Sequence, residues 1–477
     1  GTPINIRPAL CASVALATMA IATTPAYAGT AELLKRLHEK GILSDEEYAE
    51  LLAEEAKPAP APAAAAPAGD TMTRATESVD SSRMVRMAPS GIGLEVGPAT
   101  ITFAGSVNGF YVHDNPATPT ASTAVTGGIA SVGANNSSAV RNGLLPGFLK
   151  VSVAAKQSGW DVGATFGMYP GINSTAWGVL GANNGGQPTA LATAGIDFRQ
   201  TFMTFGRPEV GTFKIGRDIG LFGSEAILND ITLLSSGTPG NNVAPGNTTL
   251  GRIGVGYIYT DFQPQITYTT PSIKGLQASV GVFQPLSSLT GPAESNSAPG
   301  FQGKVTYDGK FGDVAARLWV SGITQKHDIV GGGSYTGSGV DFGGKVTVGP
   351  VTATGYYYTA SGLGTTVLGL FDTGVPQSGP GVAKRDSNGF YAQALATFGK
   401  VSVGGSYGES HLDYASNADR LANPNLLDVN SSYVGQVRYG LTSWVTLIGE
   451  YIHSKAVAHS GNKAESDAVA LGGILFF

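Results

Sequence analysis

The chain has 477 residues, a formal net charge of −5 and 13% charged residues, with 68 glycines. The charged fraction is about half of the ~25% typical of a soluble domain, and glycine is about twice its usual ~7%. The acidic balance argues against a nucleic-acid partner, and the single cysteine, Cys11, excludes a disulfide framework and a thiolate metal site.

The first residues resemble a secretory signal. Arg7 precedes an apolar run, and the small-residue pattern Ala26-Tyr27-Ala28 follows it. The run is shorter than the ~20 residues that a membrane-spanning helix needs. We therefore predict a signal peptide over residues 1–28, in preference to a membrane anchor.

Residues 29–56 are predicted to form a helical hairpin or coiled-coil segment in the periplasm. Leu33 and Leu37 share one helix face, and Ser44 with Glu47 makes a capping box for the second helix. Two short helices cannot bury a core alone, so we expect residues 30–56 to pair with another copy or to contact periplasmic material. A Pro/Ala-rich linker and a pre-barrel segment are predicted to follow, over residues 57–98.

From residue 99 onward, apolar and polar residues alternate with a period of two, which indicates strands with one oily face and one wet face. The pattern predicts sixteen strands, over 99–113, 147–157, 160–169, 195–206, 211–219, 252–272, 275–284, 301–309, 312–325, 339–348, 351–360, 388–398, 401–412, 431–440, 443–455 and 466–477.

The connections between these strands alternate between short and long. Links such as 309–311 and 399–400 are tight, whereas 114–146 and 220–251 are long and polar. An even strand count with short turns on one side and long loops on the other is typical of an outer-membrane barrel. The fold class is therefore predicted as all-β, a transmembrane antiparallel β-barrel of about 16 strands over 99–477.

Lipid offers no partner for a backbone N–H or C=O group, so a spanning sheet must close on itself. The last strand has to pair with the first, and its apolar outer face fits that role. Barrel closure and an assembly signal are assigned to Leu471, Leu475 and Phe477.

Charged residues at inward positions are predicted to line the pore, because Arg or Lys facing lipid near the midplane costs ~2–4 kcal/mol. The excess of cations over acids indicates a mild anion preference. Simple solvated decoration of a wide lumen is the alternative for any single charge. The inward cations are Lys150, Lys156, Lys214, Arg252, Lys304, Arg317, Lys345 and Arg438, and the acids are Asp161, Asp308, Asp313, Asp341 and Glu450.

Arg217 conflicts with this alternation. Its parity matches Phe213 and Ile215, which would direct it toward lipid. We predict a β-bulge near Gly216 that turns Arg217 into the lumen.

Three stretches resemble the Gram-negative sixteen-stranded trimeric porins. "EVGTFKIGRDIGLFG", Glu209 to Gly223, is similar to the fifth strand of that family, and "QITYTTPSIKGLQASVGVF", Gln265 to Phe283, is similar to the hairpin after its third loop. The terminal phenylalanine also matches. The N-terminal hairpin is similar to the periplasmic leader of some phosphate-selective porins.

The resemblance implies a homotrimer in the outer membrane of a Gram-negative bacterium, surrounded by lipid and lipopolysaccharide. It also implies passive diffusion of small hydrophilic solutes and ions, with no cofactor and no enzymatic activity. In that family the third long loop folds into the lumen. The third long link here is 220–251, although it lacks the family's Pro-Glu-Phe-Gly tip. The predicted constriction residues are Lys214, Arg217, Glu225, Asp230 and Arg252.

Two alternatives stay open. A substrate-specific anion channel, for example for phosphate, would carry a ladder of Arg and Lys in its constriction, which the sequence does not plainly show. A barrel enzyme could use His411 with Asp413 or His113 with Asp114 at external strand ends, but no nucleophile motif accompanies them.

Overall fold

The computed structural model describes residues 85–87, 92–173, 196–240, 248–376 and 381–477. The predicted signal peptide, the helical hairpin and most of the linker lie outside the described residues. In the described part, no helix is both long enough and apolar enough to cross a membrane.

Sixteen antiparallel strands form one closed barrel, as the alternation predicts. They are β1 Ala99–Asn115, β2 Phe148–Gln157, β3 Trp160–Pro170, β4 Ile196–Arg207, β5 Gly211–Ile219, β6 Phe262–Thr269, β7 Leu276–Phe283, β8 Gly300–Phe311, β9 Val314–Asp328, β10 Ser334–Val348, β11 Val351–Ser361, β12 Asp386–Phe398, β13 Val401–Leu412, β14 Leu427–Gly440, β15 Val445–Ala458 and β16 Lys463–Phe476.

The ring closes between β16 and β1. Their register runs from Asp467 opposite Asn115 to Phe476 opposite Ser106. The backbone of Phe477 then exchanges two hydrogen bonds of 3.0 Å with Gly105. The predicted pairing of the last strand with the first is confirmed.

The two faces of the strands meet different surroundings. Apolar side chains dominate the outer face, where Val107 is 61% exposed and Leu471 is 56% exposed. Polar and aromatic side chains such as Gln302, Gln436 and Tyr391 are buried on the inner face. This arrangement suits a wall with lipid outside and a filled or wet interior.

The chain divides into two compact units. The larger contains residues 104–151 and 164–477, and the smaller contains, in its described part, residues 85–87, 92–103 and 152–163. In the smaller unit a hairpin of Val85–Met87 and Ile92–Val96 continues onto the first residues of β1, with Ile92 opposite Phe103. The sequence analysis placed these residues in the linker and missed this hairpin.

One predicted strand is wrong over half its length. The alternation of 252–272 predicted a strand, but β6 begins at Phe262, and residues 252–261 belong to an irregular segment. Ile253, Val255 and Tyr257 in that stretch are buried. Apolar residues at alternate positions therefore serve interior packing here instead of a lipid-facing strand.

The described part of the connection between β5 and β6 lies inside the barrel, and we call residues 220–240 and 248–261 the inner segment. It contains the short helix α1, Ser224–Asn229, and a 3-10 turn, Ile231–Leu234. Its buried side chains form one apolar cluster with inward residues of the wall such as Trp319 and Tyr391. The connection between β11 and β12 joins this cluster, because the Tyr259 N–H donates to Thr366 O at 2.7 Å.

Candidate pore and constriction

The inner segment enters the barrel through a turn that requires glycine. Gly223 has φ +76°, and a Cβ atom on it would lie 2.8 Å from Ile258 O. Its N–H donates to Asp341 Oδ2 at 3.0 Å, and the Tyr356 hydroxyl donates to the same oxygen at 2.9 Å. Asp341, predicted to line the pore, is a buried anchor for this turn.

Glu225 on α1 attaches the helix to β8 and β9. Lys304 Nζ lies 3.0 Å from Oε1, and Arg317 donates from Nη2 to Oε1 at 2.9 Å and from Nε to Oε2 at 3.0 Å. Arg317 also donates to Asp308 at 2.7 Å. Burial alone would raise the pKa of Glu225, but Lys304 and Arg317 outweigh it and hold this pKa to about 2.

The end of α1 is attached to β10 and β12. Lys345 Nζ donates to Asn229 Oδ1 at 3.0 Å. The Gln393 amide donates to Asn229 O at 2.6 Å and accepts from the Ile231 N–H at 3.0 Å. Tyr391 adds a hydrogen bond of 2.8 Å to Ala226 O. Lys345 was predicted from the sequence, whereas the uncharged residues Asn229, Gln393 and Tyr391 were not.

Asp230, the second acid predicted for the constriction, is also withdrawn from solvent. It accepts from the N–H and hydroxyl of Thr232 at 2.8 Å and 2.7 Å, and from the Tyr257 hydroxyl at 2.9 Å. Burial raises the pKa of Asp230, although Arg252 and these donors favour its charged form.

Arg252 lies in the inner segment and not in the strand where it was predicted. It is completely buried. It donates to Ser406 Oγ, to Val255 O at 3.3 Å and to Ser432 O at 3.1 Å. A Cβ atom on Gly408 would lie 2.9 Å from Arg252 Nη1, so a glycine on β13 makes room for the guanidinium.

Glu450 and Arg438 attach the following turn to β14 and β15. Glu450 accepts from Ser235 Oγ and the Gly237 N–H, each at 2.6 Å. Arg438 Nη2 donates to Ile231 O at 2.7 Å. Both residues were predicted to line the pore, and the structure places them against the inner segment.

Taken together, these hydrogen bonds attach the inner segment to β8, β9, β10, β12, β13, β14 and β15. Glu225 is the acid of the segment that takes part in this attachment. Asp230 is bound within the segment by Thr232 and Tyr257. The third acid, Asp261, accepts from the Phe262 N–H at 2.7 Å. On α1 the residue that stays exposed is Leu228, at 47%. Glu225 and Asp230 are therefore held by protein donors and are not presented freely to the lumen.

The wall formed by β2, β4 and β5 carries three cations that lie beside aromatic rings. We call these cations the basic strip, and they are Lys150, Arg199 and Lys214. Lys150 Nζ lies 5.8 Å from the centre of the Phe148 ring, and Lys214 Nζ lies 4.9 Å from that of Phe202. Arg199 Cζ lies 4.7 Å from the centre of the Tyr169 ring and 5.5 Å from that of Phe262. Such contacts restrict long basic side chains to the wall.

Asp218 is the acid that pairs with this strip. It accepts from Lys214 and from Gln200 Nε2, the latter at 2.8 Å. Gln200 in turn accepts from the Tyr169 hydroxyl at 2.5 Å. The sequence analysis missed Arg199, although its position next to the exposed Phe198 in an alternating strand could have identified it.

The predicted bulge at Gly216 is wrong. Pairing runs without a break from Thr212 to Arg217 against β4, with Arg217 opposite Thr201, and the register with β6 is equally continuous. Arg217 therefore shares a face with Phe213 and Ile215, and its Nη1 donates to Phe262 O at 2.7 Å.

The remaining predicted charges lie elsewhere. Lys156 and Asp161 form an exposed ion pair of 3.3 Å in the smaller unit, and Asp313 lies in the turn between β8 and β9.

The histidines considered for an enzyme contact other groups than the predicted acids. His411 Nε2 lies 3.0 Å from Glu409, and His113 Nδ1 lies 2.9 Å from Ser138 Oγ. No cluster of three His, Cys, Asp or Glu residues suited to a metal ion occurs in the described ranges.

Comparisons with known proteins agree with this architecture. A model of the Gram-negative porin family matches residues 61–472. The comparison with curated proteins finds no match.

Among solved structures, the outer-membrane channel DcaP of Acinetobacter baumannii superposes with a TM-score of 0.58 at 15% identity, covering 80% of this chain and 97% of that one. The anion-selective porin from Comamonas acidovorans gives 0.51 at 12% identity, covering 80% and 100%. OmpF of Salmonella typhi, in complex with daunomycin, gives 0.50 at 13% identity, covering 80% and 98%. At these identities the similarity shows the fold.

Proposed function

We propose that this chain, which belongs to the Gram-negative porin family, is an outer-membrane diffusion channel that passes small anions in preference to cations. Family membership and the closed sixteen-stranded barrel support an outer-membrane channel. The observation that carries the anion preference is the asymmetry of the lumen. The inner segment withdraws Glu225 and Asp230 into hydrogen bonds, while the basic strip remains on the other wall.

The sign of the charge that lines a narrow pore sets its ion preference, because low-dielectric walls focus the field into the lumen. The Debye length is about 10 Å at 0.1 M salt, so charges on one wall act across a narrow passage. Lys150 and Lys214 are partly accessible, and the strip is partly balanced by the single carboxylate of Asp218. The preference is therefore expected to be moderate.

We also infer that the channel is a homotrimer in the outer membrane, in contact with lipid and lipopolysaccharide, with its N-terminal segment in the periplasm. The resemblance to trimeric porins supports the trimer. The apolar exterior near the closure seam, where Val107 and Val140 are 61% and 71% exposed, suits contact with lipid or with a second copy.

The reversal potential in a KCl gradient across a planar bilayer tests the anion preference. We expect the wild-type potential to have the sign of chloride selectivity, and the double variant K150Q/K214Q to move it toward the cation side. Lys326→Gln is a matched control, because Lys326 is exposed near the outer end of β9 and forms an ion pair with Asp328. A wild-type channel with zero or cation-selective potential contradicts the proposal.

A further inference from the structure

A cavity of about 450 Å³ lies between the inner segment and the last strands of the barrel. It is at the end where the short turns occur, which is the periplasmic side in this class of barrel. Its lining combines one apolar side chain with two cations and several hydroxyls, namely Leu234, Lys400, Arg438, Ser402, Thr442 and Thr446.

Leu234 supplies a fixed apolar surface. It belongs to the 3-10 turn of the inner segment and packs against the buried cluster that contains Ile448 and Ile474. Its position is therefore set by the wall behind it, and it does not need to move to accept an apolar group. Burial of each methylene of a ligand against such a surface is favourable.

Arg438 supplies a fixed cation. Its Nε donates to Gln436 Oε1 at 2.5 Å and its Nη2 donates to Ile231 O at 2.7 Å, so the guanidinium is held in one orientation. A planar, pre-oriented guanidinium recognises carboxylates well. Lys400, in the turn between β12 and β13, adds a second and exposed cation to the same lining.

The nearest carboxylate is already committed to other donors. Glu450 accepts from Ser235, from the Gly237 N–H and from Gln436 at 2.6–2.7 Å. Of the lining residues in the described part of the chain, none is acidic. The lining of the cavity thus combines positive charge, hydroxyl donors and a leucine.

We propose that this cavity binds small organic anions that carry an apolar tail, such as medium-chain carboxylates. The carboxylate lies at Arg438 and Lys400 with the hydroxyls as further donors, and the tail packs on Leu234. The volume is within the range of about 300–1,000 Å³ for small-molecule sites. The inference rests on the proposed function, since block at this site is measured on a current that anions carry.

Block of the chloride current through the full-length protein in a planar bilayer tests the site. Hexanoate, added on the short-turn side, is expected to reduce the current saturably, whereas acetate at the same concentration does not. Lys400→Gln and Leu234→Ser are each expected to raise the half-blocking concentration by about threefold or more. Lys400 is exposed in a turn, so K400Q gives a result even where L234S fails to fold.

Two matched control variants test whether the block arises at this cavity. Lys310→Gln removes an exposed lysine next to another short turn, and Leu228→Ser removes another exposed leucine of the inner segment. Both are expected to keep the wild-type response to hexanoate. Equal block by hexanoate and acetate, or an unchanged half-blocking concentration in K400Q, overturns the proposal. A wild-type reversal potential without chloride selectivity instead overturns the proposed function, and the two failures are thus separate.

Discussion

Glu225 is an acid on a pore loop that attaches this loop to the barrel wall. Its carboxylate is bound by three charged N–H donors from Lys304 and Arg317, and charge-assisted hydrogen bonds are roughly twice as strong as neutral ones. Removing one member of such a buried group leaves the others without compensation. The main role of Glu225 is therefore to hold α1 in place in the lumen. The effect of its negative charge on passing ions is smaller.

The attachment of α1 through Glu225 is expected to be lost only at very low pH. The pKa of Glu225 is about 2 in the folded channel, against about 4.3 in an unfolded chain. A lowered pKa stabilises the folded state above about pH 4, by up to about 3 kcal/mol, and this contribution is lost as the pH falls through about 2. The difference in single-channel conductance between the wild type and Glu225→Gln should stay constant between about pH 7 and pH 3 and disappear on approach to pH 2.

Glu225→Gln is expected to show altered conductance already at neutral pH, because Lys304 loses its charged partner and Arg317 keeps only Asp308. Asp308→Asn is the matched control, since Asp308 also binds Arg317 but is about half exposed. A difference between the wild type and Glu225→Gln that disappears near pH 4 or 5 would contradict the role assigned to Glu225.

Residue alternation predicted which charges face inward but not what they contact. Lys304, Arg317 and Arg438 are correctly placed on the inner face because a period of two is a local property of a strand. Their partners lie on a loop about 80 to 200 positions away, and no local pattern encodes that distance. The prediction for Arg217 is wrong for a different reason. Alternation gives this side chain an unfavourable location, and a hydrogen bond to the backbone carbonyl of Phe262 satisfies the guanidinium there without a bulge.

At the level of elements, the inner segment is the feature that sequence patterns describe least well. Its position as the third long link agreed with the family resemblance, but its C-terminal boundary moved from residue 251 to 261. Inward amides on the strands, Gln302, Gln393 and Gln436, bind the backbone or side chains of the segment. Glutamine at inward positions is thus a signal that could have indicated a loop attached along the wall.

The outer face of β16 provides a test of the membrane-spanning assignment. Leu471 is 56% exposed and lies opposite Tyr111 across the closure seam. We expect Leu471→Arg to reduce the free energy of unfolding in lipid by ~2–4 kcal/mol, because a guanidinium near the midplane lacks solvation. Denaturant titration in vesicles measures the change.

The matched control for that substitution is Leu421→Arg. Leu421 is 79% exposed on the short helix Asn417–Ala422 of an external connection, and the same change there is expected to leave stability nearly unaltered. Equal effects at the two positions would show that residue 471 does not face lipid.

At the level of the whole molecule, the requirement for ring closure was the most reliable basis for prediction. The pairing of the last strand with the first followed from the absence of backbone partners in lipid, whereas the strand count and the short turns were predicted from residue alternation and the lengths of the links. The hairpin before β1 was missed because Val85–Met87 and Ile92–Val96 are short and lie in a polar stretch.

Assembly can be tested through the N-terminal hairpin, which lies outside the described residues. We expect deletion of residues 30–70 to lower the temperature at which the proposed trimer dissociates, because the apolar face of the predicted hairpin is expected to pair between copies. Heated samples on a semi-native gel measure this temperature. A deletion restricted to residues 58–70 is the control, since it shortens the spacer and keeps both helices. An unchanged dissociation temperature would remove the self-association hypothesis.

The basic strip makes the ion selectivity of the channel depend on the salt concentration of the surroundings. Lys150, Arg199 and Lys214 act through a field whose reach is about 30 Å in 0.01 M salt but about 3 Å in 1 M salt. In dilute fresh water most of the lumen lies within that reach, so the proposed preference for anions is expected to be largest there. In brine the three charges are screened, and the channel is expected to select solutes mainly by size.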